Sequence, residues 1–174
     1  MEIKFLETLQ TIHSPVLNYL MIFITSLGNG GFIWIVAAIY SLFQNNNKLK
    51  REGFTLAVAL IIFSVIGLLI LKPIIARPRP FTIADVNLLI KEPIGFSFPS
   101  GHTGSSFAAA TVIYFYNKKI GVLTLILAAL IAFSRLYLFV HYPTDIIAGI
   151  ILGIVAGKLA INCTNILLKK SYHN

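Results

Sequence analysis

The sequence is short of charge, and above all of acid. Lysine, arginine, aspartate and glutamate make up 11% of its 174 residues, and only six residues are acidic. Water-soluble domains carry roughly 25% charged residues, so this chain cannot clothe a water-facing surface in the usual way. It has one cysteine, Cys163, which excludes an intramolecular disulfide and leaves redox compartment unread. Repeats and low-complexity tracts are absent, which sets aside solenoid and fibrous architectures. The first thirteen residues hold Glu2, Glu7 and His13 without a basic stretch leading into an apolar one, so no cleavable leader is expected there.

What is present instead is apolar length. Hydrophobic residues reach 57% and mean hydropathy is +0.84, the composition of a membrane protein. The net charge of +8 invites a nucleic-acid reading. However, the basic residues sit in short loops between apolar runs, as the positive-inside rule requires, and form no stripe.

The pattern predicts an all-α, integral membrane, six-transmembrane-helix bundle, one domain over residues 1–174, preceded by an interfacial amphipathic helix. That helix is residues 1–13, with Phe5, Leu6, Leu9 and Ile12 on one side. Residues 16–43 are read as two short tilted spans joined at Gly28-Asn29-Gly30-Gly31, with one long broken helix as the alternative. Further spans are expected at 53–71, 100–116, 120–140 and 145–168. The connection 72–99 carries five prolines; within it, residues 81–90 are expected to lie on the membrane as a flap, with Ile83, Val86 and Ile90 on one helical face. Counting Lys and Arg by side favours cytoplasmic N- and C-termini, with Lys4, Lys48, Lys50, Arg51, Lys118, Lys119, Lys169 and Lys170 inside. Asp145, Gly149, Gly153 and Gly157 recur every four residues, a face that lets a neighbouring helix approach.

Six spans bring three clusters to one surface. Lys72 and Arg79-Pro80 follow span three, Pro99-Ser100-Gly101-His102 opens span four, and Arg135, His141 and Asp145 lie between spans five and six. These types suit a phosphate ester. Lys72, Arg79 and Arg135 supply cations, and Ser100-Gly101 offers backbone N–H groups at a helix start. His141 oriented by Asp145 can attack phosphorus, and His102 can protonate the leaving oxygen. Taken alone, each element has a plainer reading. Lys72 is then a snorkelling helix-end residue, Arg77 and Lys91 are interfacial charges, and His13 and His173 are surface residues without role. A metal site is not expected, because His102, His141 and Asp145 lack ligand spacing and cations crowd them.

Together, Lys72-x6-Arg79-Pro80, Pro99-Ser100-Gly101-His102 and Ser134-Arg135-x5-His141-x3-Asp145 resemble the three-part signature of the type 2 phosphatidic acid phosphatase (PAP2) superfamily, and no position departs from it. The resemblance implies His141 as a nucleophile forming a phosphohistidine, Asp145 as its orienter and His102 as the acid. It implies Lys72, Arg79, Ser100, Gly101 and Arg135 as phosphate ligands, with no metal or other cofactor. Soluble vanadium haloperoxidases share the signature, but the apolar composition argues against that branch. The expected partners are the bilayer and a membrane lipid phosphate, not nucleic acid; no oligomeric state is implied. The substrate expected first is undecaprenyl diphosphate, released on the outer side. Phosphatidylglycerol phosphate, phosphatidate and lipid A 1-phosphate are alternatives, as are a phosphoryl or headgroup transferase and a non-enzymatic lipid or anion transporter.

Overall fold

The computed structural model describes residues 1–171, with side chains through Leu167. His173 and the side chains of Lys169 and Lys170 lie outside the described residues. The helices are α1 (Glu2–Gln10), α2 (Pro15–Leu27), α3 (Phe32–Leu42), α4 (Asn47–Phe63), α5 (Lys72–Ile75), α6 (Gly101–Tyr116), α7 (Lys118–Tyr137) and α8 (Pro143–Ser171). No strand occurs among the described residues. Starts are set by local chemistry. Asn46 Oδ1 accepts from Lys48 N and Leu49 N, and Asn117 Oδ1 from Lys119 N and Ile120 N. Pro15 and Pro143 occupy first-turn positions where a missing N–H costs nothing. Between α4 and α5 the backbone runs through a π-helical stretch, Ser64–Leu71.

Helix α8 packs most extensively on α6, and its glycines explain why. A Cβ at Gly153 would lie 2.5 Å from the Gly104 carbonyl oxygen, and one at Gly157 2.7 Å from Thr111 Cβ. The two backbones therefore meet directly. Phe63 fills the groove beside Gly104, with Leu56, Ala59, Val112, Ile131 and Ala160 in the same buried core. At one end of the bundle Thr55 Oγ1 bonds Tyr116 and Thr164, so α4, α6 and α8 are stitched together there. The three clusters singled out in the sequence lie at the other end.

Three segments are long and apolar enough to cross a membrane: Asn47–Thr82, Lys118–Tyr137 and Pro143–Leu167. The bent pair Pro15–Leu27 and Asn29–Leu42 makes a fourth. The chain is therefore a multi-pass membrane protein. Large apolar side chains point outward along these segments, Phe23, Ile61, Leu69 and Leu123 each being more than 60% exposed, as a lipid-facing surface requires.

Two expectations are corrected. Residues 16–43 do not fold back as two spans. The bend at the glycines is only 42°, and α2 packs on α7 whereas α3 packs on α4. Gly30 and Gly31 take positive φ, which kinks the helix without reversing it. The single broken helix is thus what forms. Consequently α1 does not lie opposite the three clusters but beside them. Glu2 bonds Arg77 and Thr144, and Gln10 Nε2 donates to the Tyr137 carbonyl. His13, expected to have no role, stacks on Tyr137 with centroids 4.2 Å apart.

The flap is also different. Pro80–Thr82 forms one 3-10 turn, and the chain is then irregular up to Ser100. Val86 packs beside Leu6, Phe139 and Tyr142, Ile90 packs on the main core, and Ile83 is exposed. The three residues share no face. The segment is a fixed cap over the bundle end.

Candidate active site

The cap is held by the first cluster. Lys72 Nζ donates to the carbonyls of Phe96 at 2.9 Å and Pro99 at 3.0 Å. Two of its three N–H donors are so engaged. The chain turns at Ala76, in the left-handed region at φ 47°, and Arg79 then runs inward. Its Nε donates to Gly95 O at 2.9 Å and its Nη1 to Val140 O at 2.9 Å. The same Nη1 lies 3.3 Å from His141 Nε2.

That contact identifies the tautomer of His141. A guanidinium offers only donors, so Nε2 must be the unprotonated, accepting nitrogen. Nδ1 then carries the hydrogen and faces Asp145 Oδ2 at 3.4 Å. Burial pushes the imidazole down to about 3, helped by the Arg135 and Arg79 cations, against the opposing bond from Asp145. The ring is therefore neutral, with a lone pair turned toward the cations.

Asp145 is fully buried and fully bonded. Its Oδ2 accepts from Ser97 Oγ and from Tyr142 N at 2.9 Å, and its Oδ1 accepts from Arg77 Nη1 at 2.8 Å. Its backbone carbonyl accepts from Ser100 N at 3.2 Å, which ties the second cluster to the third.

Ser100 caps α6, its Oγ accepting from Thr103 N and, at 2.9 Å, from Thr103 Oγ1. The N–H groups of Gly101 and His102 follow in the first turn, where helices leave donors unpaired. Arg135 is almost wholly buried; its Nη1 donates to Thr25 Oγ1 at 2.6 Å, and its Nε has no partner among the described residues. His102 Nε2 lies 3.0 Å from Asn29 Oδ1, and its ring packs on Gly28.

His102 borders two cavities. One, about 330 Å³, is partly polar, with Thr25, Ser26, Asn29, Lys91 and Arg135 in its wall. The other, about 230 Å³, is bounded by Gly28, Leu60, Phe63 and Leu68. It shares Ile35, Leu60 and Ser64 with a third, apolar cavity of about 350 Å³ that runs between α3 and α4 past Ile39, Leu42 and Ile61.

The structure thus gathers Lys72, Arg79, Ser100, Gly101, His102, Arg135, His141 and Asp145 at one end of the bundle. Chemically it offers three cations, a neutral imidazole with an available lone pair and a second imidazole beside it. Among the described residues no group of three or more His, Cys, Asp or Glu side chains is placed to hold a metal ion. Sequence reasoning missed Ser97, Thr25 and Asn29, and it set Arg77 aside as an interfacial charge. No local signal marks the first three, whose partners are 48, 110 and 73 residues away. The Arg77-Pro78 pair immediately before Arg79-Pro80 was the one available hint for Arg77.

Comparison with known proteins extends these findings. Residues 52–168 match the model of the PAP2 superfamily. Undecaprenyl-diphosphatase BcrC of Bacillus subtilis is 33% identical over 158 residues, covering 89% of this chain and 79% of that one. Lipid A 4'-phosphatase of Bacteroides thetaiotaomicron is 31% identical over 161 residues, covering 85% and 70%. The crystal structure of Aquifex aeolicus LpxE superposes with a TM-score of 0.81 at 29% identity, over 92% of this chain and 94% of that one. Motifs, fold and relatives agree: the chain belongs to the PAP2 superfamily and is a membrane phosphatase.

Proposed function

We propose that the protein hydrolyses undecaprenyl diphosphate on the extracytoplasmic face of the membrane, through a phosphohistidine on His141. The observation that carries the lipid part is the position of His102, between a partly polar cavity and an apolar path between α3 and α4. A leaving oxygen protonated by His102 then has room for a polar head on one side and a long chain on the other. The similarity to BcrC, an undecaprenyl-diphosphatase, supports the choice of substrate.

The geometry supports the following course of reaction. Lys72, Arg79 and Arg135, with the N–H groups after Ser100, bind the terminal phosphate and disperse its charge. His141 Nε2 attacks phosphorus; the P–N bond forms as the P–O bond to the leaving group breaks, and His102 gives that oxygen its proton. Asp145 stabilises the imidazolium character that develops on His141. Water, deprotonated by His102, then attacks the phosphohistidine, releasing phosphate and restoring both rings.

For sidedness, residues 15–42 count as one broken span; with the shorter α6 counted as a crossing beside the four long segments, five segments cross and α1 shares the catalytic side. At that end Lys72, Arg79 and Arg135 are committed to the site and Arg77 is ion-paired, leaving Lys4 and Lys91. Lys48, Lys50, Arg51, Lys118 and Lys119 flank the opposite end, which the positive-inside rule makes cytoplasmic.

The test is phosphate release by purified protein in detergent, with chelator, from undecaprenyl diphosphate, phosphatidylglycerol phosphate, phosphatidate and lipid A 1-phosphate. The diphosphate should have the highest kcat/KM. Preference for a monoester would overturn the substrate, and a new phospholipid without free phosphate would make the enzyme a transferase. Acid quenching of wild type with labelled substrate should trap an acid-labile phosphoryl group that His141→Ala cannot form.

A further inference from the structure

The two oxygens of Asp145 have different surroundings. Oδ2 serves His141, Ser97 and Tyr142 N, whereas Oδ1 takes Arg77 Nη1 at 2.8 Å. Arg77 does not end there. Its Nη2 meets Glu2 Oε2 at 2.6 Å, and its guanidinium lies over the Tyr142 ring, 3.7 Å from the centroid. Glu2 Oε1 in turn accepts from Thr144 N at 3.0 Å and Thr144 Oγ1 at 2.8 Å, and that hydroxyl accepts from Arg77 Nη1 at 2.6 Å. The first turn of α8, which carries Asp145, is thereby gripped from α1.

We propose that Arg77 and Glu2 are positioning residues of the reaction: through them α1 fixes the angle and the effective charge of the carboxylate that orients His141. This rests on the reading of His141 as nucleophile.

A purely structural role is too small to account for the arrangement. Arg77 and Glu2 are 26% and 30% exposed, and an ion pair so placed contributes little to stability. Asp145, by contrast, is 0% exposed, where a neighbouring charge acts with little screening. The order Glu2, Arg77, Asp145, His141 alternates in sign. Arg77 neutralises part of Asp145, which keeps the imidazole from drawing a proton; Glu2 tempers Arg77. Other charges facing the pair are Arg79 and Lys72 from the first cluster, Arg135 from α7 and His102 from α6. None of these bonds Oδ1. Arg77 is therefore the cation whose removal changes the carboxylate most.

The chain makes a signed forecast. Without Arg77, Asp145 pulls harder on a proton at His141, so the acid limb of the kcat/KM profile should rise. Without Glu2, Arg77 weighs more on Asp145, and the limb should stay or fall. The experiment uses the full chain in detergent with a prenyl diphosphate as probe. Arg77→Gln should lower kcat about tenfold with KM within about twofold, and raise the acid limb by about one pH unit. Arg77→Lys keeps the charge and should return the limb to its wild-type place while kcat stays reduced. Glu2→Gln should lower kcat about threefold with no upward shift.

An Arg77→Gln protein that melts like wild type and keeps its acid limb in place would overturn the proposal. So would an upward shift in Glu2→Gln. Should Arg77→Gln not fold, Glu2→Gln decides, and an undiminished kcat there overturns it. Failure of the nucleophile reading looks different: wild type itself would then trap no phosphohistidine.

Discussion

Gly28→Ala isolates the acid from the rest of the machinery. Gly28 closes α2 at φ −85° and ψ −5°, a negative φ on the right-handed side, so alanine there needs no left-handed backbone. The added methyl, however, would lie 2.7 Å from His102 Cδ2 and 3.0 Å from Ile131 Cγ2. Carbon atoms rest at roughly 3.5 to 4.0 Å, so the imidazole must retreat by about 1 Å. It would move off Asn29 Oδ1, now 3.0 Å from Nε2. Misplacing a reacting group by about 1 Å costs on the order of a hundredfold in rate, about 2.7 kcal/mol. The loss should fall on proton donation. We expect kcat for an alkyl phosphate ester to drop between about tenfold and a hundredfold, while nitrophenyl phosphate, whose leaving group needs no proton, loses less than about threefold. The assay is paired steady-state kinetics on the two esters with the same preparation. An equal loss on both would refute the assignment of His102 as acid and leave it a binding residue.

Three further outcomes are expected. His141→Ala should be inactive, whereas Asp145→Asn, which leaves a poorly oriented imidazole, should retain a trace of turnover; near-normal turnover in His141→Ala would refute the nucleophile. In a Cys163→Ser background, a membrane-impermeant thiol reagent should label Asn87→Cys on intact cells and spare Asn46→Cys until the cells are opened; the reverse would put the site in the cytoplasm. Stability should fall with acid through His141. Its folded value, about 3, lies below its ordinary 6.5, so between them the unfolded chain binds more protons and unfolding gains as pH drops. The contribution is whole above about 6.5 and is lost toward about 3, amounting to about 2 kcal/mol between pH 6.5 and 5. His141→Asn should flatten the pH dependence of Tm over that range, and an unchanged slope would count against a buried neutral ring.

The residues proposed to perform the chemistry were legible because they sit in dense local strings, such as Pro99-Ser100-Gly101-His102, whose residue types have few other uses together. The residues that hold them were not. Ser97, Thr25 and Asn29 are single polar side chains with distant partners, and only the fold sets the distance. The path of residues 16–43 was ambiguous for a physical reason. Two glycines at positive φ are as compatible with a 42° kink as with a hairpin, and the choice was made by α7 and α4, which claim α2 and α3 separately. The helical periodicity seen across residues 81–90 was overridden from either side of it. Lys72 and Arg79 take the carbonyls of Gly95, Phe96 and Pro99 as acceptors, and those bonds belong to an open chain.

The length of α6 carries a consequence for the surrounding lipid. Its 16 residues span about 24 Å at 1.5 Å each, against about 30 Å for the hydrocarbon of a typical bilayer. The helix that presents Ser100, Gly101 and His102 therefore stops short of one membrane surface if its far end, beside Lys118 and Lys119, reaches the other. With its far end at that surface, Ser100, Gly101 and His102 would sit about 6 Å below the other surface, beneath the cap of residues 83–100. A phosphate reaching them descends from its own leaflet, and its lipid chain need not leave the bilayer. Depth of this kind would favour substrates that stay anchored while they react.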